Sequence, residues 1–250
     1  MTLIQIFGIN KMPLVKSQDD IGEQLVRAVR DQSMQILDHD IIVVAQKIVS
    51  KAEGRVVNLQ TITPSTLANT IGESSEKDPK HVEVILRESA NIIRMRGAHI
   101  IVETRHGFVC ANAGVDRSNA GNGDLAVLLP IDPDRAAQKL RKRIRELAGV
   151  DVGVIISDTF GRAWRNGQVN VAIGIDGLTP ILDYRGSRDM FGNQLKVTQI
   201  AIADELASAA ELVMRKSDGV PVAIIRGIEY AKGSGSVQQL IRPKEEDLFR

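Results

Sequence analysis

Asp116 and Asp158 head the residues of this 250-residue chain that could do chemistry. Asp116 lies in the segment 112–119 (NAGVDRSN) and Asp158 in 156–167 (ISDTFGRAWRNG). Each segment follows a strand-like apolar run and is expected to break into a loop there. Two carboxylates delivered by rigid elements to one place typically hold a divalent metal, and such a metal usually accompanies phosphate chemistry. The pattern points to an enzyme. Asn112, Ser118 and Asn119 crowd the first loop with polar side chains, and Gly114 permits positive φ and a close backbone approach. The bland alternative is a turn in which Asn and Asp cap their own backbone. In the second segment, Thr159 offers a hydroxyl as a further metal or phosphate ligand. Arg162 and Arg165 could neutralise phosphate or a substrate carboxylate. Trp164, the sole tryptophan, could stack on a planar ligand or simply pack.

Any nucleotide site must be built without the usual glycine loops. The chain contains neither GxxxxGK[ST] nor GxGxxG. Lysines at a strand end are the candidates. In AQKIVSKAEGR, Lys47 and Lys51 follow an apolar run and stand four apart, so one helical turn would put both ammonium groups on one side. A solvated basic turn is the competing reading. The four histidines show no HExxH or other metal spacing, which argues against zinc. Cys110 has no local histidine partner and reads as core filler.

The elements that must position these residues are legible in outline. Strand-like runs occupy Leu3–Phe7, Asp40–Gln46, His99–Thr104, Gly107–Ala111, Val152–Ser157, Val169–Ile175 and Pro221–Arg226. The runs from Asp40 and Val152 are continuously apolar, as in strands buried on both faces. Arg105 and His106 should form a tight bend between two strands. Apolar stripes predict helices over Asp20–Arg30, Pro79–Arg96 and Ile200–Met214. A further helix should run from Pro133 to Gly149, with Asp132 as its cap. Its basic face is read as solvated. The stretch from Gly174 to Leu195 looks irregular, and could divide the chain into two lobes or reach across a dimer. Arg242–Arg250 reads as a charged surface tail. The order is mixed rather than strictly βαβ, which gives an α+β fold of mixed α/β type, with no 20–50-residue repeat.

Bulk properties exclude several classes. The formal net charge of +1 argues against a dedicated nucleic-acid binder, and 3% aromatic residues argue against base-stacking platforms. No apolar run approaches the roughly 18 residues of a membrane helix, and the N-terminus lacks a signal-peptide pattern. With one cysteine, the expectation is a cytoplasmic protein without a membrane partner.

Taken in order, AQKIVSKAEGR, NAGVDRSN and ISDTFGRAWRNGQVNVAIGIDG resemble the coenzyme F420-0:L-glutamate ligase (gamma-glutamyl ligase) family. INKMPLVKSQDD and SDGVPVAIIRG are similar too, so the resemblance spans nearly the whole chain. It implies a single ligase domain over residues 1–250, with mixed sheets, no P-loop and an intertwined homodimer. The flavin reductase domain of some actinobacterial relatives is not expected. The implied reaction joins L-glutamate to F420-0 through an acyl phosphate, with GTP going to GDP and phosphate; further glutamates add through gamma linkages. Magnesium or manganese would accompany the nucleotide, with potassium as an additional candidate cation.

Carried over by position, the resemblance gives Asp116 and Asp158 metal-binding and catalytic roles and Thr159 a second metal contact. It gives Lys11, Met12, Pro13, Leu14, Gln46, Lys47, Lys51 and Asn119 to the nucleotide. One departure stands out. Some members carry a Gly-Glu pair after the last helix, whose carboxylate binds a second metal. This chain reads Met214-Arg215-Lys216 there, which puts that second site in question. Arg162, Arg165 and the Asp183–Asp189 loop are candidates for the F420-0 pocket. The alternatives are a ligase of the same fold acting on another carboxylate metabolite, and a metal- and nucleotide-binding protein without turnover.

Overall fold

Two β-branched runs, Ile41–Ala45 and Gly153–Arg162, lie side by side at the centre of the molecule. They pair in parallel, Ile41 against Gly153 through Ala45 against Ser157. Ile41–Val44 and Val154–Ile156 are fully buried, as the unbroken apolar sequence requires. The computed structural model describes residues 3–118, 120–121 and 124–249.

In chain order the elements are β1 (Gln5–Gly8), α1 (Ile21–Asp31), β2 (Ile41–Ala45), α2 (Gln46–Ala52), β3 (Val56–Asn58), α3 (Thr66–Ser75), α4 (Pro79–Glu88), β4 (Ser89–Arg96), β5 (His99–Thr104), β6 (Val109–Ala111) and β7 (Leu125–Val127). Then follow α5 (Pro133–Ala148), β8 (Gly153–Arg162), β9 (Arg165–Asp176), β10 (Leu182–Asp183), β11 (Gln199–Ile200), α6 (Ile202–Met214) and β12 (Val222–Arg226). The main sheet has five strands in the order β1-β12-β2-β8-β9, with only β2 and β8 parallel. Among the described residues a three-stranded sheet β4-β5-β6 and two two-stranded pairs, β3-β7 and β10-β11, complete an α+β architecture.

The helices start and stop where side chains meet their orphan backbone groups. Asp20, Ser65, Asp78 and Asp132 each accept an amide hydrogen bond at an N-cap, and Pro79 and Pro133 follow the last two. Gly149, at φ +73°, closes α5. Helices α1 and α5 pack on each other, and α5 lies on β8 and β9. Helix α6 touches both edge strands of the main sheet, β9 and β1. Together they bury one large aliphatic cluster. A second cluster forms around Leu59, Ile71, Val82, Ile85, Ile100 and Val102, joined by Val115 and Leu128. The chain therefore has two cores, and the segment that presents Asp116 belongs to the second.

Three sequence expectations need correction. The helix expected over Pro79–Arg96 stops at Glu88, and Ser89–Arg96 is a strand paired with β5. Ile92 lies opposite Val102 there, and Gly97 at φ +52° closes the hairpin, so strand pairing overrides the helical spacing of the isoleucines. The strand expected to end at Ser157 runs on to Arg162, so Asp158 and Thr159 sit inside a long hairpin rather than in a loop. The stretch 174–195 is less irregular than its composition implies. Its first residues belong to β9, and its outer part is closed by β10 against β11 and a bridge between Arg188 and Gln194. Helix α3 and the strands β3 and β7 have no counterpart in the expected elements.

One buried ion pair fixes β12 against β2. Asp40, fully buried, accepts from Arg226 Nε at 2.8 Å and Nη2 at 2.7 Å, and from the Leu37 amide at 2.8 Å. Removing one partner of such a pair strands the other charge in the interior. Arg226→Met is expected to lower unfolding stability by about 3 kcal/mol in denaturant titrations. Asp40→Asn with Arg226→Met should recover part of that loss; equal stability of the single variant and the parent would show the pair to be dispensable.

Candidate functional site

The candidate site is assembled at the carboxyl ends of the parallel pair β2 and β8. Because Ala45 lies opposite Ser157, the first residues of α2 come beside Asp158. Gln46 and Lys47 thus enter the site from β2, and Asp158 and Thr159 from β8. Strand β9 supplies the neighbour: Asn170 is directly opposite Thr159. Cross-strand pairs share a face, and the Thr159 hydroxyl donates to Asn170 Oδ1 at 2.7 Å.

Asp116 arrives from the second core. Asn112, Ala113 and Gly114 have φ of 55°, 54° and 68°, three consecutive left-handed residues. For the first two this is a disfavoured backbone region. A Cβ on Gly114 would meet Leu129 at 2.7 Å, so the glycine serves packing against Leu129. Beyond the kink, Asp116 exchanges two backbone hydrogen bonds with Val127, at 3.0 and 2.8 Å. Its carboxylate is then oriented by Ser118, whose amide and hydroxyl donate at 2.7 and 2.9 Å.

Lys47 joins the two halves. Its ammonium lies 2.7 Å from Asp116 Oδ2 and 2.7 Å from Ser118 Oγ. Burial tends to raise the Asp116 carboxyl, but the Lys47 and Ser118 bonds outweigh it and hold the group below the usual carboxylate range. Asp158 behaves in the opposite way. Burial, with the like charge of Asp116, pushes it up to about 6, against the Thr159 amide and the charges of Lys47 and Lys216. Lys51, four residues along α2, is held below the usual lysine range by burial and by repulsion from Lys47. The two lysines therefore do share a side of the helix, as their spacing predicts.

The donor set suits a divalent cation. Two carboxylates and a threonine hydroxyl are oxygen ligands of the hard type that magnesium and manganese take. Asp116 already carries a cation, the Lys47 ammonium, and Asp158 is a half-buried carboxyl whose ionisation a metal would favour. Among the described residues no three His, Cys, Asp or Glu side chains converge as a ready metal cluster. The remaining ligands would have to come from hydroxyls, water or a phosphate.

Other expected residues take varied places. Gln46 is buried, accepting from Ser50 Oγ at 2.9 Å while its Nε2 and the nearby Ser157 hydroxyl find no protein partner. The loop with Lys11, Met12, Pro13 and Leu14 runs on over the end of α2, where the Gln18 amide donates to Ala52 O at 2.8 Å. Within it Lys11 donates to Asp31 O at 2.6 Å, Met12 packs on the main core and Leu14 is exposed. Asn119 lies outside the described residues. Arg162 spends its guanidinium on the carbonyls of Asn166 and Gly167 at the hairpin tip, and exposed Trp164 faces Phe249. Asp183 is bound to Arg185 on the outer arm. Cys110 is buried, its thiol pushed up to about 12 by burial and by Asp158, which fits a packing role.

Of the three residues beside Thr159, Lys216 is the one the sequence had singled out, whereas Asn170 and Glu211 escaped sequence reasoning. Asn170 is 3% exposed, and its Nδ2 donates to Glu211 Oε2 at 2.9 Å. Lys216 lies 3.4 Å from Glu211 Oε1 and also donates to the Thr159 hydroxyl. Only the pairing of β8 with β9 reveals why Asn170 is polar inside an apolar run.

The F420-0:Gamma-glutamyl ligase family model matches residues 9–227 of the chain. A Methanothermobacter thermautotrophicus protein named Coenzyme F420:L-glutamate ligase is 50% identical over 250 residues, covering 99% of both chains. Proteins of the same name from Methanocaldococcus jannaschii and Archaeoglobus fulgidus are 46% and 40% identical, each over 99% of this chain and 97% and 96% of their own.

The electrostatics of Asp158 allow a test that needs no assay. Its folded carboxyl titrates near 6, above the ordinary range, so its ionisation costs stability. That cost is absent below about pH 4 and fully present above the folded value. Asp158→Asn should therefore stabilise the fold by about 3 kcal/mol near pH 8, with the gain fading towards pH 4. Thermal melts across that range would show it; a destabilised variant at pH 8 would mean that the carboxylate holds the hairpin together.

Proposed function

The chain belongs to the F420-0:gamma-glutamyl ligase family, and we propose that it joins L-glutamate to coenzyme F420-0, using GTP and releasing GDP and phosphate. The observation that carries this reading is the convergence of Lys47, Asp116 and Asp158 at the ends of the central strands. Amide formation from a carboxylate needs activation, and phosphoryl transfer mostly needs positioning and charge neutralisation. In the proposed course an F420-0 carboxylate oxygen attacks the terminal phosphorus of GTP, and GDP leaves. The glutamate amine then attacks the acyl carbon, loses a proton, and phosphate departs. No protein nucleophile is required, which agrees with the buried, high-pKa thiol of Cys110.

Asp116, Asp158 and Thr159 would hold the divalent ion. Such an ion supplies charge to the phosphate oxygens and aligns them for transfer. With a divalent ion held by Asp116, the Lys47 ammonium, now on Asp116 and Ser118, would be available to a phosphate oxygen. Lys51, on the same face of α2, adds a second positive charge. The strained 112–114 turn and the Val127 bonds keep Asp116 from swinging, and the Asn170 bond does the same for Thr159. The loop from Lys11 to Leu14, Gln46 and Asn119 are assigned to the nucleotide. A homodimer, and potassium as an additional cation, are part of the same proposal.

The purified protein with F420-0, L-glutamate, GTP and Mn²⁺ is expected to yield GDP, phosphate and a glutamylated product visible by mass. Asp116→Ala and Asp158→Ala should each cut turnover at least about 10²-fold while circular dichroism stays unchanged. GDP release with another carboxylate but not with F420-0 would move the assignment to a different acceptor. No GDP with any acceptor, alongside tight GTP binding, would leave a binding protein without turnover.

A further inference from the structure

Two ammonium groups that contact oxygen atoms of the site, Lys47 and Lys216, differ in kind. Lys47 sits on Asp116, a carboxylate with no other cation beside it among the described contacts. Lys216 has a counter-ion of its own. Glu211 Oε1 is 3.4 Å from its Nζ, and Glu211 is itself fixed by Asn170. The Lys216 ammonium also meets Thr159 Oγ1, and Asn170 Oδ1 at 3.5 Å. A cation thus already stands where the Thr159 hydroxyl, the Asn170 amide oxygen and the Glu211 carboxylate converge, and its charge reaches Asp158.

The backbone is shaped to put it there. Helix α6 ends at Met214, and Arg215 takes φ 48° and ψ 174°, a region occupied almost solely by glycine. That turn carries Lys216 back to β8. Charge balance runs the same way. Lys47 pairs directly with Asp116 and Lys216 with Glu211, while Asp158 has no ion pair of its own among the described contacts. One divalent ion would be welcome; a second would have to enter against Lys216.

We infer that the Lys216 ammonium is a built-in cation that occupies the second cation position of the site, so that the chain binds one divalent ion and not two. The inference rests on the proposed metal role of Asp116 and Asp158.

The test is Mn²⁺ binding to the whole protein without nucleotide, read from the electron paramagnetic resonance signal of the free ion. The parent chain and Lys216→Arg, which keeps the positive charge, should bind one Mn²⁺ per chain. Lys216→Glu should bind two, with the spectrum of a coupled ion pair. Lys216 is largely exposed, so the variants are expected to fold, and circular dichroism verifies it. Two ions in the parent chain would overturn the inference and leave the metal role of the aspartates standing. A folded Lys216→Glu protein that still binds one ion would overturn it as well. No binding by the parent chain would remove the metal reading of Asp116 and Asp158, and the inference with it.

Discussion

The parallel pairing of β2 with β8 is the constraint on which the remaining structure depends. It is the one parallel contact in the main sheet. Both strands are buried on two faces, so their register is held by the fit of their side chains into the close-packed core on either side. A slip of one residue would turn Ile41–Val44 and Val154–Ile156 to the wrong faces. The same register sets Ala45 against Ser157, and so decides that α2 starts beside Asp158. The apolar core fixes the site geometry without taking part in the chemistry.

The polar residues are then arranged in two sets with little overlap. Asp116, Ser118 and Lys47 form one, joined at 2.7 Å contacts. Thr159, Asn170, Glu211 and Lys216 form the other, strung across β8, β9 and the end of α6. Asp158 stands between the sets and feels the charge of both. This division explains why two aspartates of the same type differ in acidity. Asp116 has a cation in direct contact, whereas Asp158 is half-buried and has only cations acting at longer range.

Sequence alone disclosed a good part of this. The unbroken runs IIVV and VGVIIS revealed the central strands, because double burial leaves no polar positions. The helix start at Asp132 was legible because a cap followed by proline is local chemistry, and the helix from Asp20 was legible from its apolar stripe. The four-residue spacing of Lys47 and Lys51 forecast their shared face correctly. Legibility failed where pairing partners decide the outcome. Ile92 and Ile93 fit a helix until β5 is available to pair with Ser89–Arg96. Asp158 looked like a loop residue because the hydrophobic run ends at Ile156, yet the hairpin with β9 carries the strand to Arg162. Asn170 and Glu211 have meaning only through contacts 11 and 41 residues distant in the chain, a separation that no local pattern encodes.

The two aliphatic clusters give the site an uncommon genetics. Asp158 and Lys47 are carried by one cluster, and Asp116 by the other, through Val115 and the left-handed turn before it. A methylene lost at Val84 or Ile100 can leave the protein folded, because the larger cluster is untouched. It can still shift Asp116 against Asp158. Substitutions far from any charged side chain would thus surface as loss of activity with little loss of abundance. Screens that sort variants by expression level would pass them as silent.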